Sequence, residues 1–88
     1  MSRLTLRIDP GDSPYQRVFV AGWLDGSTHA ELDAALAPLL HDGTHILELN
    51  LAGLEYISSA GLRSIFRARK ALHPHAGRVL VMQPRPGV

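Results

Sequence analysis

The chain has 88 residues, 45% of them hydrophobic and 19% charged, a composition that supports one domain burying roughly 60 to 70% of the surface its unfolded chain exposes. It contains no cysteine, which excludes a disulfide framework, a Cys-ligated zinc site, an iron–sulfur cluster and a cysteine nucleophile. Nine Lys and Arg against eight Asp and Glu leave a net charge of +1, so no broad electrostatic field favours nucleic acid or an anionic membrane.

Leu4, Leu6 and Ile8 alternate with Thr5 and Arg7, the period-two pattern of a strand with one buried face. Asp9-Pro10-Gly11-Asp12-Ser13-Pro14 is dense in turn formers, and its two prolines argue against a regular ladder there. Val18 to Ala21, closed by Gly22, reads as a second strand, antiparallel to the first because the connection is short. Asp25, Gly26 and Ser27 break that pattern. Ser27 or Thr28 then caps a helix whose Leu32, Leu36, Leu39 and Leu40 share a stripe, ended by Asp42-Gly43.

A third strand runs from His45 to Leu51, followed by a loop over Ala52 to Ile57. Ser58 and Ser59 open a second helix, with Leu62, Ile65, Phe66 and Leu72 spaced for its buried side. The segment His73-Pro74-His75-Ala76-Gly77 ends that helix, Val79 to Met82 form the last strand, and Pro84, Pro86 and Gly87 close the chain. The order implies an α/β fold: an antiparallel hairpin followed by βαβαβ, in one mixed sheet with its helices mainly on one face and residues 1–88 as a single domain. The second, third and fourth strands are then parallel. The turns after their C-terminal ends, which carry Asp25 and the two serines, are where function is expected.

Two readings of Ser58-Ser59 follow from physical chemistry. One serine caps the helix by accepting a hydrogen bond from an orphan backbone N–H. The other is a phosphorylation site, since the positive helix end stabilises a phosphate bringing roughly −1.5 to −2 charge. Both hold together if Ser58 caps and Ser59 is modified.

The segment Leu47-Glu48-Leu49-Asn50-Leu51-Ala52-Gly53-Leu54-Glu55-Tyr56-Ile57-Ser58-Ser59-Ala60-Gly61-Leu62 resembles the core signature of STAS domains, especially the bacterial anti-sigma factor antagonists. Gly22-Trp23-Leu24-Asp25 is similar to the Gly-x-Leu-Asp turn after their second strand, and the element order agrees along essentially the whole chain. The resemblance implies a non-enzymatic switch in bacterial transcription regulation. Its unmodified form binds an anti-sigma factor, often a serine kinase, and phosphorylation at Ser59, with Ser58 as the alternative acceptor, releases it. A serine phosphatase restores the complex. Many members carry Asp where this chain has Ser58 and Ser where it has Ala60. The alternative within the family is a scaffold subunit of a lipid or anion transport system, with the serine only a cap.

The implied partner surface comprises Asp25, Gly26, Ser58, Ala60, Gly61, Arg63, Arg67 and Lys70. The basic residues Arg63, Arg67 and Lys70, with Arg69 nearby, form a stripe on the second helix that is either a solvated face or a docking surface for an acidic partner. Asp25 either orders its loop or borders the phosphoacceptor and would repel a phosphate there. Trp23 reads as a core or rim residue, or as a partner anchor if exposed.

Five scattered histidines complete no metal site, and Ser59 lies in no G-x-S-x-G elbow; no metal, cofactor or catalytic residue is expected. No apolar run approaches the ~20 residues that cross a bilayer, and the N-terminus lacks the hydrophobic stretch of a secretory signal, which together point to the cytoplasm without membrane insertion. STAS domains usually continue past the strand matching Val79 to Met82 into one or two further helices. The resemblance therefore implies a version shortened at the C-terminus, with open apolar surface buried by a homo-oligomer or a partner.

Overall fold

The computed structural model describes residues 3–10, 15–40, 44–75 and 77–82. Its elements are β1 (Leu4–Pro10), β2 (Tyr15–Leu24), α1 (His29–Leu36) with a 3-10 turn at Ala37–Leu39, β3 (Ile46–Ile57), α2 (Ser59–Leu72) with a 3-10 turn at His73–His75, and β4 (Arg78–Met82). The sheet order is β1-β2-β3-β4. β1 pairs antiparallel with β2, whereas β2, β3 and β4 are mutually parallel, as the hairpin and two crossovers require.

Both helices pack on the sheet face that carries Val18, Val20 and Leu24 of β2 and Leu47, Leu49, Leu51 and Leu54 of β3. Leu32 and Leu36 of α1 and Ile65, Ala68 and Leu72 of α2 close this core, with Leu39 and Leu40 packed against its edge. Each buried leucine contributes about 1.5 to 3 kcal/mol of hydrophobic stabilisation. Strand alternation turns Tyr15, Arg17, Phe19 and Glu48 to the other face. There the Tyr15 hydroxyl donates to Glu48 Oε1 at 2.7 Å, Arg17 pairs with Glu48, and the Arg7 guanidinium lies 4.2 Å from the Phe19 ring centroid.

The structure departs from the sequence expectations in four places. β1 continues through Asp9 and Pro10, with Pro10 opposite Gln16; an edge strand tolerates a proline because the missing donor need not face a ladder. β2 runs on past Gly22 to Leu24, since Gly22 takes a left-handed φ of 91° at a register shift between Gly22 and Trp23. A Cβ there would stand 2.0 Å from the Arg3 carbonyl oxygen, so only glycine lets the strand pass.

The expected loop over Ala52–Ile57 is instead the second half of β3, with Leu54 fully buried and Gly53 set against Ala21. Finally, α2 is rotated from its expected orientation. Ile65 and Leu72 are buried, but Leu62 and Phe66 are 43% and 58% exposed, and Gly61, Ser64 and Ala68 face inward in their place. Small residues allow the helix to approach closely: a Cβ on Gly61 would lie 2.7 Å from Leu24 Cγ. The expected turn at Gly11 to Pro14, the helix stop at Asp42-Gly43, Ala76 and the terminal Pro84, Pro86 and Gly87 lie outside the described residues.

Candidate functional site

Leu24 pairs with Ile57 at the C-terminal ends of β2 and β3, and the Ser58 amide donates to the Leu24 carbonyl at 2.9 Å. The turn after β2 and the head of α2 therefore share one end of the sheet, where parallel strands release their loops.

Asp25 organises the first of these. One carboxylate oxygen accepts from the Ser27 amide at 2.9 Å and from the Ser27 hydroxyl at 2.8 Å, while the other lies 3.3 Å from Arg3. The Ser27 hydroxyl and amide, with smaller help from Thr28 and Arg3, hold the Asp25 carboxyl below its ordinary value despite some desolvation. The Thr28 hydroxyl accepts from the Asp25 amide at 2.9 Å and donates to the Trp23 carbonyl at 2.8 Å. Thr28 occupies the position before α1 but makes no side-chain cap bond, because its hydroxyl ties the loop back to β2. Asp25 thus has the loop-ordering role, at the border of the α2 head.

The two serines differ in their surroundings. Ser58 sits at the N-cap with extended backbone, φ −96° and ψ 175°, and its hydroxyl accepts from the Gly61 amide at 3.3 Å. One of the four donors left orphaned at the helix start is thereby satisfied. Ser59 is the first residue of α2 and is exposed. Its hydroxyl has no intramolecular partner among the described residues. It stands free at the positive end of a 14-residue helix.

The remaining expected surface residues are spread from this head to the last turn of α2, which carries Lys70. Gly26 is exposed, and a Cβ there would meet nothing within 4 Å. Ala60 is half-buried and Gly61 is buried, the latter holding α2 against Leu24 rather than facing a partner. Arg63 and Lys70 are exposed. Arg67 lies 3.7 Å from Asp33 of α1, so the basic stripe is partly engaged in linking the helices. Trp23 is 38% exposed, stacked 4.9 Å from Tyr56 and capped by the Arg3 guanidinium at 4.9 Å. It is a rim residue.

Arg3 and Thr28 were not legible as site residues. Arg3 reaches Asp25 because its carbonyl accepts from the Trp23 amide, a pairing that only the hairpin register fixes. His29 Nδ1 lies 3.3 Å from Asp33 and 3.5 Å from the buried Ser64 hydroxyl. Both contacts fall on one ring nitrogen, so the three do not form a proton relay of the hydrolase kind. Among the described residues no three His, Asp or Glu side chains converge as metal ligands, and no helix is long and apolar enough to cross a membrane.

Residues 12–88 match the family model described as Mlab, STAS domain. An anti-sigma-B factor antagonist of Staphylococcus epidermidis is 34% identical over 68 residues, covering 77% of this chain and 63% of that protein. The corresponding Staphylococcus aureus protein is 32% identical with the same coverage. This chain thus spans less than two thirds of the length of these relatives. Among solved structures, the anti-sigma factor antagonist SpoIIAA in its unphosphorylated form superposes with a TM-score of 0.85 at 18% identity, over 96% of this chain and 74% of that one. An anti-sigma factor antagonist from Mycobacterium paratuberculosis gives 0.76 at 24% identity, over 89% and 67%. These two likenesses establish the shared fold.

Proposed function

The chain belongs to the STAS domain family, and from that premise we propose that it is an anti-sigma factor antagonist, a binding protein rather than an enzyme, switched by phosphorylation of Ser59. The observation that carries this reading is the division of labour at the head of α2. Ser58 spends its hydroxyl on the cap, whereas Ser59 presents an exposed hydroxyl that no described residue engages. The staphylococcal relatives are named anti-sigma-B factor antagonists, and Bacillus SpoIIAA has a structure in a phosphorylated form.

In this reading the unmodified loop at Asp25 and Gly26, the α2 head and the exposed Arg63 and Lys70 meet an anti-sigma factor that is itself a serine kinase or works beside one. The kinase transfers the γ-phosphoryl group of ATP to the Ser59 oxygen; the oxygen–phosphorus bond to ADP breaks and the hydroxyl proton leaves to the kinase. The new dianion is held by the helix end. It also shares this end of the sheet with the Asp25 carboxylate, which its hydrogen bonds keep ionised, so the surface gains negative charge and like-charge repulsion ejects an acidic partner. A serine phosphatase resets the site.

The test is phosphopeptide mapping after incubation with ATP and the kinase that co-purifies from the native cell. Label confined to Ser59 and absent from Ser59→Ala supports the assignment. Label that persists at full strength in Ser59→Ala overturns it, and no label on either protein favours the transport-scaffold alternative.

A further inference from the structure

Four polar side chains come together where α1 meets α2. Asp33 Oδ2 lies 3.3 Å from His29 Nδ1, one turn back on α1, and 3.7 Å from the Arg67 guanidinium of α2. The hydroxyl of Ser64, a residue only 1% exposed, stands 3.5 Å from the same ring nitrogen. The His29 amide donates to the Asp25 carbonyl at 2.9 Å, which fixes the residue at the head of α1. Arg67 Nε donates to the Arg63 carbonyl at 3.4 Å, so the guanidinium spans from its own helix toward Asp33. One carboxylate oxygen thus serves two basic groups. Only one of them changes charge near neutral pH, because histidine titrates between about pH 5 and 8 whereas arginine stays protonated.

We propose that a proton on His29 transfers Asp33 from Arg67 to the imidazole, so that the Arg63–Arg67–Lys70 stripe gains a free cation as pH falls. With His29 neutral, the Asp33 carboxylate and the Arg67 guanidinium offset each other. With His29 protonated, the same cluster carries one positive charge in excess. Geometry decides which cation gives way. Coulomb attraction weakens with separation, and the imidazole is the closer of the two. Its residue is also already held by the Asp25 carbonyl, whereas the Arg67 side chain is 61% exposed and loses rotational freedom whenever it pairs. The other nearby acids do not intervene. Glu31 lies two residues on and so faces another side of α1, while the Asp25 carboxylate is engaged by Ser27 and Arg3. Once released, Arg67 joins Arg63 and Lys70, both exposed, as a cation available to an acidic partner.

The exchange is tested in the protein alone by carbon-detected NMR, following Arg67 Cζ and His29 Cε1 from about pH 5 to 8. Both signals should shift along one curve. His29→Gln keeps a donor for Asp33 but no titrating group, and should hold Arg67 at its alkaline position across the whole range. Asp33→Asn should hold it at the acid position. Melting curves recorded alongside check that each protein is folded, and the parent titration is decisive even where a variant unfolds. An Arg67 signal that stays constant in the parent, or one that still titrates in His29→Gln, would overturn the proposal. The consequence for binding rests on the function proposed above. Affinity for the co-purifying anti-sigma factor should rise about two- to fivefold from pH 8 to pH 6, the worth of one exposed ion pair, and the rise should shrink in His29→Gln. An equal rise in both proteins would also overturn the proposal. No binding at either pH would instead count against the earlier reading, with the Arg67 titration still deciding this one.

Discussion

Replacing Ser58 by alanine removes the one hydroxyl that accepts from the Gly61 amide, at 3.3 Å, and leaves a first-turn donor of α2 without its partner. Loss of such a cap costs typically ~1 kcal/mol within a range of 0.5 to 2; the rather long bond argues for the middle of that range rather than its top. For a domain of 60 to 100 residues, 1 kcal/mol lowers the melting temperature by about 4 to 8 °C. Ser59→Ala removes an exposed hydroxyl with no described partner, and should shift stability by no more than about 0.5 kcal/mol. Two further substitutions at position 58 separate capping from simple side-chain loss. Ser58→Gly should cost only about a few tenths of a kcal/mol. Ser58→Asp should match or exceed the parent, because a carboxylate both caps and meets the positive helix end, an effect of about 0.3 to 1 kcal/mol. Urea unfolding followed by far-UV circular dichroism at neutral pH measures all four variants. Equal destabilisation by Ser58→Ala and Ser59→Ala, or a neutral Ser58→Ala, would refute the division of roles between the two serines.

Gly22→Ala should destabilise by about 3 kcal/mol, measured by the same unfolding assay, because its Cβ would meet the Arg3 carbonyl oxygen at 2.0 Å in a left-handed backbone. Gly61→Val should cost about 1 to 3 kcal/mol by forcing α2 away from Leu24 and Ile57, whose side-chain atoms lie 2.7 and 3.0 Å from the added Cβ. The folded Asp25 carboxyl sits below its ordinary value, so its contribution is complete above the unfolded value of about 3.9 and is lost as pH falls through the folded one. The melting-temperature difference between the parent and Asp25→Asn should accordingly shrink in acid, whereas a difference constant from neutral pH to below that window would contradict the carboxylate's role. Leu36→Ala, at a fully buried site between α1 and the sheet, should cost about 2 to 5 kcal/mol.

The order of elements along the chain was readable because each apolar run is short, β-branched or alternating, and because its neighbours are turn formers. The second half of β3 was not readable. Gly53 looks like a loop residue, yet it allows β3 to pass beside Ala21, a contact a Cβ would make at 2.9 Å, and that reason lies on another strand. The orientation of α2 was hidden for a related cause. Hydrophobic spacing gives equal weight to Leu62 and Phe66 and to Ile65 and Leu72, whereas close packing on Leu24 demands Gly61, and the small Ser64 and Ala68 are buried on the same helix. At the site, the serine pair announced itself through its position before a helical pattern. The partners of Asp25 did not, since Arg3 is separated from it by 22 positions and meets it only through the hairpin.

The central claim is that a charge on Ser59 controls partner binding, and calorimetric titration tests it most directly. The anti-sigma factor that co-purifies from the native cell would be titrated with the unmodified protein and with protein fully phosphorylated at Ser59. Phosphorylation should raise Kd by about tenfold or more, equivalent to about 1.4 kcal/mol, with the phosphorylated protein still folded by its melting curve. Equal affinities for the two forms would contradict the switch.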